Sequence, residues 1–308
     1  MEANMEVNNA GTATIKKEAI MSPWKLAWKR LRRNKLAMVG MAILLVMVLA
    51  AVIGPFVSPY KMDDVKLGDS DLRPSWEHPL GTDNVGRDIA TRLMYAGRIS
   101  LTVGIVVVLI ELIIGSTLGA IAGYYGGIVD SFIMRIVDIL MCFPGLAILI
   151  VFSAIMSDLK VPPDYRIFIV MFVIGMLGWT GLCRIVRGQI MSLREQEFMQ
   201  AAEALGLKDR RKMFRHLLPN TFASIIVSAT LRIGGAILTE SSLSFLGLGV
   251  TPPIPSWGQM IQVVQDMYIL QHEPWKWVPP GVCIFLTVMS INLFGDGLRD
   301  ALDPKLKR

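Results

Sequence analysis

Ionisable side chains inside apolar runs are the first residues of this 308-residue chain that could do chemistry. Glu111, Arg232 and Glu240 each lie within a long greasy stretch. A charge there is costly and normally faces a bundle interior or a water-filled path. Counting a rise of about 1.5 Å per residue, Glu111 stands about 18 Å and Arg232 about 17 Å from the N-terminal ends of their runs, near mid-membrane depth. The two are expected to approach one another, either as a structural pair or in contact with a solute. Glu240 has Ser241, Ser242 and Ser244 beside it, so a cavity-facing position is expected. Glu240, Ser241, Ser244, Glu111 and Arg232 are therefore the candidate pore residues. Arg135 and Asp138, three apart, read as a local pair or as snorkelling side chains, and Asn292 and Asp296 as part of an interfacial helix end.

Other chemistry finds no support. Cys142, Cys183 and Cys283 all lie in apolar runs without CxxC spacing, and His78, His216 and His272 form no ligand set, so neither a disulfide framework nor a metal site is expected. HExxH, GxSxG and the GxxxxGK[ST] phosphate loop are missing, so the chain is read as non-catalytic and as binding no cofactor itself.

These residues sit in a membrane scaffold. The chain is 53% hydrophobic and 18% charged, with a mean hydropathy of +0.51. Both departures from soluble composition point towards lipid. Six runs reach the roughly 20 residues that a span needs: Leu36–Val57, Ile99–Ala122, Phe132–Met156, Ile167–Val186, Thr221–Leu248 and Val278–Leu298. The expected fold is an all-α polytopic membrane protein of six transmembrane helices. Lys and Arg cluster before the first span, between the fourth and fifth, and in the tail, whereas residues 58–98 are rich in Asp. The positive-inside rule then puts both termini in the cytosol. It also accounts for the pI near 9.3 without nucleic acid.

The expected order is a cytosolic tail (1–35), a first span (36–57), an external loop (58–98), a core (99–298) with a cytosolic loop (195–220) and a second external loop (249–277), and a cytosolic tail (299–308). Within "SPWKLAWKRLRRNK", Ser22 can cap and Pro23 start a helix whose Trp24, Ala27, Trp28 and Leu31 share one face, suited to the headgroup layer over 22–35. Residues 1–20 show no periodicity. Gly115, Gly119 and Gly123 form a small-residue stripe suited to close helix packing. Trp257, Trp275 and Trp277 read as interfacial anchors.

The stretch "QAAEALGLKDRRKMFRHLLPN", Gln200 to Asn220, does not belong in lipid. It reads as two short helices. Phe198, Ala201, Ala202 and Leu205 form a smooth face, Gly206 closes the first helix, Asp209 can cap a second carrying Met213, Phe214 and Leu217, and Pro219 ends it. An apolar cytosolic face is costly unless covered, so the insert is expected to dock a soluble partner.

This stretch resembles the EAA loop of ABC-importer permeases. Ala201, Ala202, Gly206, Leu218 and Pro219 match its spacing; Gln200 replaces the usual Glu and His216 the usual Ile. His before Leu-Leu-Pro resembles the dipeptide, oligopeptide and nickel branch. "HPLGTDNVGRD" and "ESSLSFLGLGVTPPIPSWGQM" resemble segments of its C-type permease subunit. The resemblance implies a type I importer fold in a bacterial or archaeal plasma membrane. It further implies half of a heterodimeric pore with a second permease, two ATPases carrying ATP and Mg, and an extracytoplasmic solute-binding protein. The ATPase-coupling residues would be Gln200, Ala201, Ala202, Leu205, Gly206, Met213, Phe214, His216, Leu218 and Pro219. Peptides are the first expected cargo, with oligosaccharides or nickel complexes as alternatives. A secondary transporter or channel is the rival from another class, but no internal repeat supports it.

Overall fold

The computed structural model describes residues 23–302. The Ser22 cap, residues 1–20, the side chain of Trp24 and the basic residues Lys305, Lys307 and Arg308 lie outside the described residues. The described chain is helical: α1 (Pro23–Leu31), α2 (Lys35–Val57), α3 (Ile89–Tyr125), α4 (Gly127–Cys142), α5 (Gly145–Asp158) and α6 (Pro163–Arg194) precede the insert. The insert holds α7 (Glu197–Ala204), α8 (Asp209–Arg211), a π-helical turn (Lys212–Leu217) and α9 (Leu218–Asn220). Then come α10 (Phe222–Phe245), α11 (Trp257–Ile261), α12 (Met267–His272) and α13 (Pro274–Leu302).

Five helices, α2, α3, α6, α10 and α13, are long and apolar enough to cross a membrane. The expected third span is not one straight helix: α4 and α5 meet at a 76° bend. Pro144 lacks the N–H that would continue α4, and its extended backbone starts α5 instead. α3 also starts ten residues before the expected span at Ile99, because Asp88 caps it there, accepting from the Thr91 N–H at 2.7 Å. His78 Nδ1 lies 3.0 Å from the same carboxylate, and both residues are buried, so His78 belongs to the frame of the external loop.

The spine is the contact between α3 and α6. A Cβ at Gly115, Gly119 or Gly123 would stand 2.8, 2.6 and 2.7 Å from the carbonyl oxygens of Trp179, Cys183 and Arg187. The glycine stripe thus lets two backbones touch, the packing role its spacing suggests. Asp138 does not pair with its neighbour Arg135; it reaches across to Arg184 on α6, and Asp130 likewise holds Arg187. Cross-helix pairs of this kind fasten α4 to the spine.

Antiparallel packing sorts the loops to two ends. Gly297 abuts Ala37, and Ala27 and Leu31 of α1 are buried beside the end of α13. The start of α2, the ends of α3, α6 and α13, and the insert therefore share one end, which carries the basic clusters. The other end holds residues 58–88 and 246–273. There Lys276 of α13 is buried between Asp71 and Glu273. Trp257 is no interfacial anchor: it is 1% exposed, and its indole N–H donates to the Leu93 carbonyl at 3.2 Å. A tryptophan near the boundary suits either place, and here the loop folds back and buries it. Trp275 and Trp277 are half-buried.

Candidate functional site: the basic insert and the membrane-depth ion pair

The insert is held firmly on its inner side. Met199, Met213 and Leu217 join Ala120, Tyr124, Leu182, Val186, Ile190 and Ile225 in one apolar cluster. Tyr124, at the end of α3, donates its hydroxyl to Asp209 Oδ1 at 2.6 Å. Lys212 Nζ lies 3.0 Å from the same oxygen and 5.6 Å from the Tyr124 ring centroid. The Tyr124 hydrogen bond, and after it Lys212, hold the Asp209 carboxyl below its ordinary range. Lys212 is pushed the other way, first by its bond to Tyr124 and then by Asp209. Arg194 closes the set, donating to the Tyr124 carbonyl at 2.6 Å.

Two expectations are corrected here. Asp209 is not a cap: it stands inside the first turn, with Lys208 at the cap position, and its carboxylate is used by Tyr124 and Lys212. Met213 and Ala202 do not line the outer surface; they are 3% and 7% exposed and face the protein's own core. A 3.6-residue period cannot tell which side of a short helix is covered by its own chain.

The outer side carries Gln200, Ala201, Leu205 and Gly206, all exposed, with Leu205 at 80%. Gly206 adopts φ +68°, with its N–H bonded to Glu203 O and that of Leu207 to Ala202 O, so a left-handed residue closes α7. Beyond it, Lys208, Arg210, Arg211, Phe214, Arg215 and Pro219 rim a shallow concavity of about 500 Å³. His216 and Leu218 are half-buried behind this rim. The insert thus offers an apolar patch beside a cationic rim on a clamped base.

At membrane depth, Arg232 and Glu111 meet as expected. Nε donates to Oε2 at 2.8 Å and Nη2 to Oε1 at 2.6 Å, a bidentate pair. Nη2 also donates to the Gly178 carbonyl at 3.1 Å, and a Cβ on Gly178 would collide with both side chains. The Glu111 side chain is 3% exposed, while that of Arg232 is 48% exposed. Glu240, Ser241 and Ser244 are elsewhere. All three are buried, so their expected cavity-facing position is corrected. Residues 246–258 fold over the end of α10, with the Val250 N–H bonded to Ser244 Oγ and Ser244 in turn donating to Glu240 at 2.6 Å. Sequence reasoning missed Tyr124, Lys212 and Gly178. The polar tip of Tyr124 at the end of an apolar run was the one available signal for the first.

The family described as "Binding-protein-dependent transport system inner membrane component" matches residues 115–308. The chain belongs to that family. Residues 22–74 also match the "N-terminal TM domain of oligopeptide transport permease C". This permease is 44% identical to the dipeptide transport system permease protein DppC of Alkalihalophilus pseudofirmus, over 93% of the chain and 91% of the relative. It is 40% identical to the oligopeptide transport system permease protein OppC of Bacillus subtilis, over 97% and 95%. With the glutathione transport system permease protein GsiD of Pectobacterium atrosepticum the identity is 39%, over 95% of both. The permease is thus a multi-pass inner-membrane subunit of an ABC importer, as the motifs suggested.

Proposed function

We propose that this permease forms one half of a peptide translocation pore, paired with a second permease, and is driven through its insert by two ATPases that carry ATP and Mg. The basic end faces the cytosol and the Asp-rich end faces an extracytoplasmic peptide-binding protein. Relatives named for dipeptide, oligopeptide and glutathione transport support short peptides as cargo. The observation that carries the reading is the division of the insert. Its inner face is locked to α3, α6 and α10, and its outer face leaves Leu205 and its neighbours bare. A patch that must be covered, mounted so that displacement passes into the spans, is what a coupling element requires.

The test uses the complete transporter in proteoliposomes. Leu205→Cys is expected to react with a soluble thiol reagent in the isolated permease and to be shielded in the assembled complex. Gly206→Val, which forces a β-branched residue into the left-handed region, is expected to leave ATP hydrolysis no longer stimulated by peptide-loaded binding protein. Equal labelling in both states would overturn the docking reading.

A further inference from the structure

The outward face of α10 is the strongest feature that the coupling insert does not explain. Ser228, Arg232, Gly235, Thr239 and Ser242 follow one another at spacings of four and three, so they form a single stripe along the helix. Arg232, Gly235 and Ser242 are exposed, and Ser228 and Thr239 half-exposed. A Cβ on Gly235 would meet open space. The Thr239 and Ser242 hydroxyls are satisfied within the helix by the Gly235 and Leu238 carbonyls, but a half-exposed guanidinium at mid-depth is costly in hydrocarbon. A second feature at the same level agrees. The helix break at Phe143 and Pro144 lies between Leu140, which packs beside Trp179, and Leu149, which packs with Ala236 and Ile174. Residues 141–147 around it are exposed, and irregular backbone at membrane depth is tolerated only in protein or along water.

Glu111 gives this stripe its chemistry. Its buried carboxylate takes two of the Arg232 donors and cancels the charge, and Gly178 O fixes the plane. Among the described residues Nη1 has no acceptor, so its N–H groups point away from the pair. We propose that the α10 stripe lines a water-filled path in which Arg232, neutralised by Glu111, offers donors to the carbonyl oxygens of a passing peptide without a net charge. Carbonyls are common to every peptide, whereas a bare cation would hold acidic peptides and repel basic ones. The role of Glu111 is positioning and neutralisation. This inference rests on the peptide-import reading above.

The experiment has two arms in the reconstituted complete transporter. First, Thr239→Cys, in a Cys142→Ser background, is labelled with an anionic and a cationic thiosulfonate, both membrane-impermeant. Both are expected to react. Adding Glu111→Gln should raise the anion-to-cation rate ratio about tenfold, the scale of one uncompensated charge about 10 Å away in partly aqueous surroundings. Glu111→Gln with Arg232→Gln should restore the ratio. Second, uptake of trialanine, Lys-Ala-Ala and Glu-Ala-Ala is compared. Glu111→Gln should depress Lys-Ala-Ala most, and the double variant should remove that preference. No labelling by either charged reagent, or an equal fall for all three peptides with an unchanged labelling ratio, would overturn the inference. If no peptide enters through the wild-type transporter, the import reading fails, while the labelling ratios still decide whether the stripe is wet and neutralised.

Discussion

α2 and α10 are nearly equal in length, 23 and 24 residues, and both leave one side uncovered. Their bare sides differ in kind. α2 presents Leu45, Val46, Leu49, Val52, Ile53 and Phe56, each at least 45% exposed and all apolar. α10 presents Ser228, Arg232, Gly235, Thr239 and Ser242, with Leu238 as the one large apolar side chain among them. Exposure in one subunit of a membrane protein therefore has two meanings, and the chemistry of the exposed side says which applies. Lipid can cover α2 with no unsatisfied group left behind. α10 needs water or protein, as the proposed half-pore requires.

The largest way to break this contrast is to remove the frame on which both helices lean. Gly119→Leu would press a branched side chain against the Cys183 carbonyl, where even a Cβ comes within 2.6 Å. Overpacking of backbone against backbone costs on the order of 3 kcal/mol. The expected result is loss of the monodisperse complex in size-exclusion chromatography. The next effect tests the contrast directly. Leu49→Arg puts a charge on the lipid side of α2 and should cost about 3 kcal/mol of insertion. Ser242→Arg, on the other bare side, should insert nearly as the wild type does. Glycosylation mapping of inserted chains measures both, and equal penalties would erase the distinction. A smaller effect follows from Gly178→Ala, which must shift the Arg232–Glu111 pair to make room. A destabilisation of about 1–3 kcal/mol is expected, read as a lower Tm, and Gly181→Ala, with open space around it, should show none.

Much of this was legible in the residues, for physical reasons that also mark the limits. Glu111 and Arg232 could be matched because charges at depth must find partners, and these two stood at similar depths. The glycine stripe could be read because helical spacing puts its members on one side. Asp138 could not be assigned to Arg184, since sequence spacing shows neighbours along one helix and not across two. Pro144 was visible, but a continuous apolar run hides a bend. α3 extends to Ile89 through Arg92 and Arg98, which a hydropathy window discards; Arg92 is buried, and Arg98 bonds the Ala51 and Val52 carbonyls. Glu240 was placed by its polar neighbours, yet Ser241 and Ser244 bond it inside the fold. The insert shows the same limit: its periodicity revealed two faces, and only the ends of α3 and α6 determine which is covered.

The smallest expected effect concerns a charge on a surface that is wet in either reading. Asp209 is half exposed and accepts from Tyr124 and Lys212, which hold its carboxyl below the ordinary value of 3.8. A carboxyl lowered on folding stabilises the folded state above its unfolded value and loses that contribution as pH falls through the folded one. The benefit is therefore complete at neutral pH and disappears only in strong acid, below about pH 4. Exposure and screening keep it small. Asp209→Asn should lower the Tm slightly at pH 7, and the gap to the wild type should shrink as the pH falls below about 4, measured on detergent-purified permease in low salt. Tyr124→Phe should mimic the neutral-pH loss, because it removes the first donor. A gap that persists unchanged at pH 3 would mean that packing of Met199, Met213 and Leu217, rather than this carboxylate, seats the insert. The outer patch would then be mounted by apolar contact alone, and the bare sides of α10 and the insert would differ in what secures them although both meet water.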